Sequence, residues 1–308
     1  MKTIESVLVA GAGAIGAAVA WQIQRTIPGA VSILAGGERL ERYRKEPFII
    51  NGESCSFAFT DVTGSSNPDL IIVACKNHHL PEVMADLKNH VGEQTLILSL
   101  LNGISSERQL GEVFGAHRIP YAMILGIDAV RESNRVSFSK TGKIFFGDAE
   151  NPEPWSDRVR AIAEFFTRSG VGFSVPENML NRLWYKFMMN VGLNQLTAII
   201  RRPYRPFKSA TREEESASLF ADAMREVIAV AAPEGVTLTE KDIEDSFRVL
   251  DGLSDEGKTS MCQDVEAGRK TEVELFSRTV MDLGEKHGIS VPINTLMYRL
   301  IRAIENTY

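Results

Sequence analysis

The first half of the chain alternates short apolar runs with helical stretches. Runs rich in β-branched residues and Leu occupy residues 6–11, 31–35, 69–76 and 95–101. Such short, continuous runs are typical of strands that are buried on both faces of a parallel sheet. Because helical segments alternate with these strands, the pattern predicts an α/β domain with a doubly wound sheet.

Two further segments of this half predict β-hairpins. Residues 49–54 read IINGES, with an Asn-Gly turn sequence between two β-like runs. Residues 135–148 read RVSFSKTGKIFFGD, which we interpret as a second hairpin.

The second half of the chain carries helical patterns. Helices are predicted over residues 177–201, 212–235, 239–250, 257–268, from 271 onwards, and over 294–306. Thr239 is a candidate N-cap, and the sequence TEVE from Thr271 is a capping-box pattern that predicts a helix start there. We therefore predict two domains, an α/β domain of residues 1–176 and an all-helical domain of residues 177–308.

Composition narrows the class of protein. The chain has 308 residues and a formal net charge of −6, so we expect no nucleic-acid partner. Cys55, Cys75 and Cys262 lie far apart and form neither a disulfide framework nor a C-x-x-C pair. We expect a reducing compartment, buried or surface thiols, and no metal site.

The apolar run at residues 6–23 resembles a signal peptide or a membrane span. Glu5 lies in what would be the positive region, and the run is rich in Gly and Ala rather than Leu. Gln22 and Gln24 interrupt it before the ~20 apolar residues that a span requires. We therefore expect a cytoplasmic protein with no membrane segment.

The glycines of this run form a nucleotide-binding fingerprint. The loop between the first strand and the helix after it reads Gly11, Ala12, Gly13, Ala14, Ile15, Gly16. In this setting G-x-G-x-x-G predicts dinucleotide binding. Gly11 permits the tight turn, Gly13 lets the main chain approach a pyrophosphate, and Gly16 lets the helix pack close to the strand. The start of the helix adds N–H groups that favour phosphate.

Lys76 and Asn102 follow two later strands of the predicted sheet. Doubly wound sheets place ligands outside the carboxyl ends of their strands, which makes both residues candidates for ligand contacts. The simpler alternatives are a solvated loop lysine and an Asn-Gly turn.

The end of the second strand bears on the choice of cofactor. An acid there usually binds the ribose of NAD, whereas an Arg binds the 2′-phosphate of NADP. The segment LAGGERLERYR offers Glu38 for NADH and Arg39, Arg42 and Arg44 for NADPH. A solvated charged helix is the competing interpretation. Lys76 adds a cation, so we favour NADPH, with NADH as the alternative.

Three polar residues interrupt the apolar helix pattern LWYKFMMNVGLNQLTAII at intervals of four. Lys186, Asn190 and Asn194 share one helix face, because each step of four residues turns by only ~40°. The row spans ~12 Å, enough to contact a small polar molecule. It faces either solvent or a polar cleft, which we expect beside the nucleotide domain. In a ketone reduction, a cationic donor such as Lys186 stabilises the developing alkoxide and supplies the proton.

Over nearly its whole length the chain resembles the ketopantoate reductases (2-dehydropantoate 2-reductases). The matching segments are GAGAIG (11–16), VACK (73–76), LLNGI (100–104), LWYKFMMNVGLNQLTAI (183–199) and KTSMCQDVEAGRKTEVE (258–274). The resemblance implies a Rossmann-type domain followed by an all-helical one. It also implies the NADPH-dependent reduction of 2-dehydropantoate to (R)-pantoate in pantothenate biosynthesis.

The resemblance also implies roles for single residues. Lys186 matches the proton-donor lysine, while Asn190 and Asn194 match substrate-binding asparagines. Ser260, beside Gly257, Lys258 and Thr259, matches the serine that holds the substrate carboxylate. Glu272 matches the acid near the cofactor ribose and the lysine. Asn102 matches the asparagine that contacts both cofactor and substrate, and Lys76 and Ala129 match cofactor contacts. From the residues alone, Ser260 could be an ordinary first-turn serine and Glu272 a helix-dipole partner.

Four positions depart from the family pattern. Gly36 stands where an Arg is usual, Gln195 where Pro is common, and Arg278 where Gly is frequent. Tyr204 replaces an Asn that contacts substrate in many members. These departures leave three alternatives open: a paralogue that reduces another 2-oxo acid, a nucleotide-sensing protein without catalysis, and a 3-hydroxy-acid dehydrogenase. The expected partners are a small 2-oxo acid and, as an open alternative, a second copy of the chain in a homodimer.

Overall fold

The structure, a computed structural model, describes residues 3–211 and 214–308. It divides into two compact units, the first ending at Leu180 and the second beginning at Asn181. Among the described helices, none is long and apolar enough to cross a membrane.

The described strands all belong to the first unit. They are β1 (Val7–Ala10), β2 (Val31–Ala35), β3 (Phe48–Ile50), β4 (Glu53–Cys55), β5 (Ala58–Asp61), β6 (Leu70–Val73), β7 (Leu96–Ser99), β8 (Tyr121–Ile127), β9 (Val130–Glu132), β10 (Arg135–Ser137), β11 (Thr141–Gly147) and β12 (Phe173–Ser174). The helices of this unit are α1 (Ala14–Thr26), α2 (Gly37–Lys45), α3 (Leu80–Leu87), α4 (Ser106–Phe114) and α5 (Asp157–Ser169).

The central sheet of the first unit is parallel, with strand order β5-β2-β1-β6-β7. Val7 and Val9 of β1 belong to an apolar cluster that includes residues of α1 and α5. Leu8 and Ala10 belong to a second cluster that includes residues of α3 and α4. Because β1 is buried on both faces, its sequence is a continuous apolar run. The predicted Rossmann-type domain is confirmed.

One of the two predicted hairpins is confirmed and the other is wrong. β3 and β4 pair antiparallel across Asn51 and Gly52, whose φ angles of 49° and 87° suit a type I′ turn. In the segment 135–148, β10 pairs with β3 and β9, whereas β11 pairs with β8. The reason is length: β10 has three residues and β11 has seven, as β8 does.

The regular secondary structure described in the second unit is all helical. Its helices are α6 (Met179–Ile200, which starts just before the boundary), α7 (Glu215–Ala231), α8 (Glu240–Asp251), α9 (Ser260–Glu266), α10 (Thr279–His287) and α11 (Pro292–Glu305). A π-helical segment, Glu274–Arg278, precedes α10. The predicted helix 212–235 corresponds to α7, and its first residues, Arg212 and Glu213, lie outside the described residues. Thr239 is confirmed as an N-cap, in a capping box with Asp242.

The predicted helix start at Thr271 is wrong. The main-chain N–H and the hydroxyl of Thr271 both donate to Oε1 of Glu305, at 2.8 and 2.6 Å. Glu274, the expected capping-box partner, accepts a hydrogen bond from the hydroxyl of Tyr298 instead. Since Thr271 and Glu274 make these bonds instead of a reciprocal capping box, regular structure begins at Glu274, with the wide π-helical turn.

Candidate active site

Three glycines at the junction of β1 and α1 are under different spatial constraints. Gly11 has a φ of 102°, and a Cβ there would lie 2.8 Å from main-chain atoms of Ala74 and Cys75. A Cβ on Gly16 would lie 2.1 Å from the carbonyl oxygen of Gly11. The nearest atom to a Cβ on Gly13, by contrast, would be 3.8 Å away. The fold therefore requires glycine at 11 and 16, whereas the open space over Gly13 suits a ligand that approaches the main chain.

This loop fits the pyrophosphate of a dinucleotide. Gly13 is the N-cap of α1, so the helix begins at Ala14 and Ile15 with N–H groups that have no partner within the helix. These groups and the positive end of the helix dipole favour an anion. The residues present are thus those that a nicotinamide dinucleotide needs at this loop.

Arg131 supports the same loop, and no sequence motif marks it. Its guanidinium donates hydrogen bonds to the carbonyl oxygen of Ala12 and, at 3.3 Å, to the hydroxyl of Tyr43. It also stacks over the ring of Phe48. Ala129, the predicted cofactor contact, is half-buried two residues before this arginine. The contact between Arg131 and the glycine loop joins residues more than a hundred positions apart, which explains why local patterns missed it.

Val62, which directly follows the neighbouring strand β5, limits the space at the end of β2. A Cβ on Gly36 would lie 2.3 Å from Cγ2 of Val62, so a larger residue there would require Val62 to move. The predicted phosphate-binding arginines have contacts of their own: Arg39 with Glu82 at 3.7 Å, Arg44 with Glu41 at 3.4 Å, and Arg42 over the ring of Tyr43. These are exposed contacts that contribute little energy, and the arginines can exchange them for a ligand.

Lys76 and Asn102 lie at one edge of the central sheet. Lys76 is exposed after β6, and Asn102 is half-buried after the adjacent strand β7. The loop of Asn102 is supported by buried hydrogen bonds that sequence reasoning missed. The hydroxyls of Ser99 and Ser106 lie 2.7 Å apart, and Ser106 donates to the carboxylate of Glu107 at 3.0 Å.

Cys75, next to Lys76, adds no nucleophile to this edge. Burial raises the pKa of its thiol to about 11. The thiol therefore stays protonated near neutral pH, and only the thiolate is nucleophilic.

The polar row predicted on the long helix lies on α6. Lys186 and Asn190 are half-buried, and Asn194 is 8% exposed. Phe187 and Val191, each one residue further along, are buried in the core at 1% and 0% exposure. The row is therefore a polar stripe beside a face of α6 that is buried in the core.

A hydrogen bond ties α6 to the start of α9. The hydroxyl oxygens of Thr197 and Thr259 lie 2.7 Å apart, and both residues are buried. The hydroxyl of Thr259 also caps α9, since it accepts from the main-chain N–H of Cys262 at 3.1 Å. Ser260 is the first residue of α9 and is exposed. The candidate carboxylate-binding serine is thus held at a fixed place relative to the C-terminal part of the row.

A second connection ties α6 to the segment after Glu272. Gln195 is fully buried, its side-chain N–H donates to the carbonyl of Val191 at 2.7 Å, and its Oε1 accepts from the N–H of Ser277 at 3.3 Å. Ser277 lies in the π-helical segment that follows the half-buried Glu272. Arg278, the other family departure here, forms an exposed ion pair with Asp282 at 2.7 Å.

The chain matches two models of known protein families. The model of the family Ketopantoate reductase PanE/ApbA matches residues 7–151, and that of the family's C-terminal domain matches residues 178–305. The chain belongs to the ketopantoate reductase family, as the sequence predicted.

Individual relatives are distant in sequence but similar over their whole length. The 2-dehydropantoate 2-reductase of Pyrococcus horikoshii is 26% identical over 304 residues, 97% of either chain. A crystal structure of 2-dehydropantoate 2-reductase from Geobacter metallireducens has a TM-score of 0.83 at 25% identity, over 97% of this chain and 99% of that one. A ternary structure of D-mandelate dehydrogenase with NADH and anilino(oxo)acetate has a TM-score of 0.86 at 20% identity, over 98% and 99%. These three proteins are oxidoreductases, and their names indicate different substrates.

Proposed function

We propose that the chain is an NAD(P)H-dependent reductase of 2-oxo acids, with 2-dehydropantoate as substrate and (R)-pantoate as product. The observation that carries the proposal is the polar row of α6, in a chain of the ketopantoate reductase family. Relatives named 2-dehydropantoate 2-reductase support the substrate. The product would enter pantothenate biosynthesis.

In this proposal the row binds and protonates the substrate. Lys186 hydrogen-bonds to the 2-oxo oxygen and gives it a proton as negative charge develops there. Asn190 and Asn194 donate to and accept from the polar groups of the substrate. Ser260 holds the carboxylate, and Glu272 contacts the cofactor ribose and lies near Lys186.

The residues from Gly11 to Gly16, with Lys76, Asn102 and Ala129, would hold the cofactor. When bound, the reduced dinucleotide supplies the hydride that reduces the carbonyl carbon. NADPH is the form that we propose, because Lys76 and the exposed arginines of α2 favour a 2′-phosphate.

The decisive experiment compares kcat/KM of the wild-type enzyme for 2-dehydropantoate with NADPH and with NADH. We expect turnover with both and a higher value with NADPH. Calorimetric binding of the cofactor without turnover of any 2-oxo acid would instead favour the nucleotide-sensing alternative. Turnover restricted to 3-hydroxy acids would favour the remaining alternative, a 3-hydroxy-acid dehydrogenase.

A further inference from the structure

A glutamine side chain of α6 takes the place of a main-chain acceptor in the π-helical segment. In an α-helix the N–H of Ser277 would donate to the carbonyl of Val273, four residues earlier. In this chain it donates to Oε1 of Gln195 at 3.3 Å. The carbonyl of Val273 accepts from the N–H groups of Phe276 and Arg278, at 3.2 Å in both cases. These donors lie three and five residues further along, and the bond to the fifth residue is that of a π-helical turn.

Buried hydrogen bonds hold the amide of Gln195 in one orientation. Gln195 and Ser277 are both fully buried. The side-chain N–H of Gln195 donates to the carbonyl of Val191 at 2.7 Å, so its oxygen is the atom that faces Ser277. The hydroxyl of Ser277 donates to Oδ1 of Asn294 on α11 at 3.1 Å. Because a side chain that enters the hydrogen-bond ladder of a helix distorts it locally, the π-helical turn follows from the bond to Gln195.

Glu272 directly precedes this turn, and its main chain is held on both sides. Its carbonyl accepts from the N–H of Leu275 at 2.9 Å. Thr271 before it is bonded to Glu305 of α11, and Val273 after it is buried. A π-helical turn contains about one residue more than an α-helical turn, and each residue turns a helix by ~100°. Closing the turn would therefore rotate Glu272 by about that angle relative to α10.

We infer that Gln195 is a positioning residue: it maintains the π-helical turn and thereby fixes the direction in which the side chain of Glu272 points. The inference rests on the proposed function, in which Glu272 contacts the cofactor ribose. Proline, which is common at position 195 in the family, has no side-chain acceptor for this N–H. The positioning through Gln195 is therefore a property of this chain rather than of the fold in general.

The first test compares Gln195→Leu with the wild type, with NADPH as the varied substrate at saturating 2-dehydropantoate. The leucine gives the N–H of Ser277 no acceptor, which removes the bond that maintains the turn. We expect kcat/KM for NADPH to fall at least about tenfold, because a displaced contact residue costs binding and orientation. Ser277→Ala is the matched control, since it removes the hydroxyl bond to Asn294 but keeps the main-chain N–H. It should lower the Tm and leave kcat/KM within about twofold of the wild type, and an equal loss of kcat/KM in both variants would overturn the inference.

Gln195→Glu provides a reading within one folded protein. A neutral carboxyl can donate to Val191 and accept from Ser277, as the amide does, whereas an ionised carboxylate cannot donate. Burial favours the neutral form, so Gln195→Glu should keep wild-type kcat/KM at acidic pH and lose it, relative to the wild type, as the pH rises. Loss of activity in this variant at every pH, with the fold intact, would contradict the inference.

Combining Gln195→Leu with Glu272→Ala shows whether Gln195 acts through Glu272. The double variant should be at most about twofold worse than Glu272→Ala alone, both in kcat/KM and in the calorimetric Kd for NADPH. Losses that multiply, or a Glu272→Ala variant that equals the wild type, would overturn the inference while the reductase activity stands. If the wild type turned over no 2-oxo acid, the proposed function would be overturned, and the Kd values would still decide the role of Gln195.

Discussion

In the function that we propose, the glycine loop of the first unit and the polar row of the second would achieve specificity by opposite means. The loop would act through the main chain, and at Gly11 and Gly16 the neighbouring main chain leaves no room for a side chain. The row acts through side chains on a helix whose own hydrogen bonds do not depend on them. A change at Gly11 or Gly16 would therefore disturb the fold itself, whereas the side chains of the row can change while the fold persists.

Solved structures of similar fold differ in the substrate that their names give. The relatives with solved structures include a 2-dehydropantoate 2-reductase and a D-mandelate dehydrogenase, both with TM-scores above 0.8 to this chain. In the function that we propose, substrate specificity would change through a side chain of the row without disturbing the helices. The nucleotide loop has no comparable freedom at Gly11 or Gly16.

Gly16 is the position of the glycine loop where we expect a substitution to cause the largest loss of stability. In Gly16→Ala the new methyl group would meet the carbonyl oxygen of Gly11 at 2.1 Å, and a main-chain atom cannot rotate away. We expect the free energy of unfolding to fall by about 3 kcal/mol. Scanning calorimetry should then show a Tm lower by roughly 6–12 °C.

Gly13→Ala is the matched control, because its methyl group would have 3.8 Å of space. Its Tm should stay within about 2 °C of the wild type, while the Kd for NADPH rises at least about tenfold. Equal losses of Tm in the two variants would show that position 13 is also a packing site and would remove the distinction between them.

A substitution at Gln195 tests whether buried polar groups also contribute to the stability of the second unit. Gln195→Leu leaves the buried N–H of Ser277 without its acceptor, which should cost about 2 kcal/mol of unfolding free energy in urea titrations. Leu196→Met, a volume-conserving change at the next position, should cost less than about 1.5 kcal/mol. If the two variants were equally stable, the connection from α6 to the π-helical segment would not matter for stability.

The smallest effect is expected at Gly36. Gly36→Arg should lose about 1 kcal/mol of stability, because its Cβ would lie 2.3 Å from Cγ2 of Val62. Adding Val62→Ala should restore the Tm and lower the Kd for NADPH by about tenfold, through a charge-assisted bond to the 2′-phosphate. A single Gly36→Arg variant as stable as the wild type would mean that the loop of Val62 moves freely.

Much of the fold was predictable because its signals are local. Continuous apolar runs indicated the buried strands, Asn51 and Gly52 marked a hairpin, and Thr239 marked a helix start. The failures depend on distant partners. Nothing near Thr271 reveals that Glu305 would occupy its N–H, and nothing in residues 135–148 reveals that β11 would pair with β8.

The candidate site divides in the same way. The spacing of Lys186, Asn190 and Asn194 was enough to place them on one helix face. The contacts that hold the site in place were invisible, because the bonds of Arg131 to Ala12 and of Thr197 to Thr259 join residues far apart in the chain. The roles of Ser260 and Glu272 came from the family resemblance and remain predictions.

The most direct test of the account is the kcat of Lys186→Ala with 2-dehydropantoate at saturating cofactor, measured beside its Kd for NADPH. Lys286→Ala, at an exposed lysine of α10, serves as the control. We expect Lys186→Ala to lose at least about a hundredfold in kcat with its Kd nearly unchanged, because the lysine supplies the proton and the glycine loop holds the cofactor. A loss of less than about tenfold in kcat would contradict the role of Lys186 as proton donor.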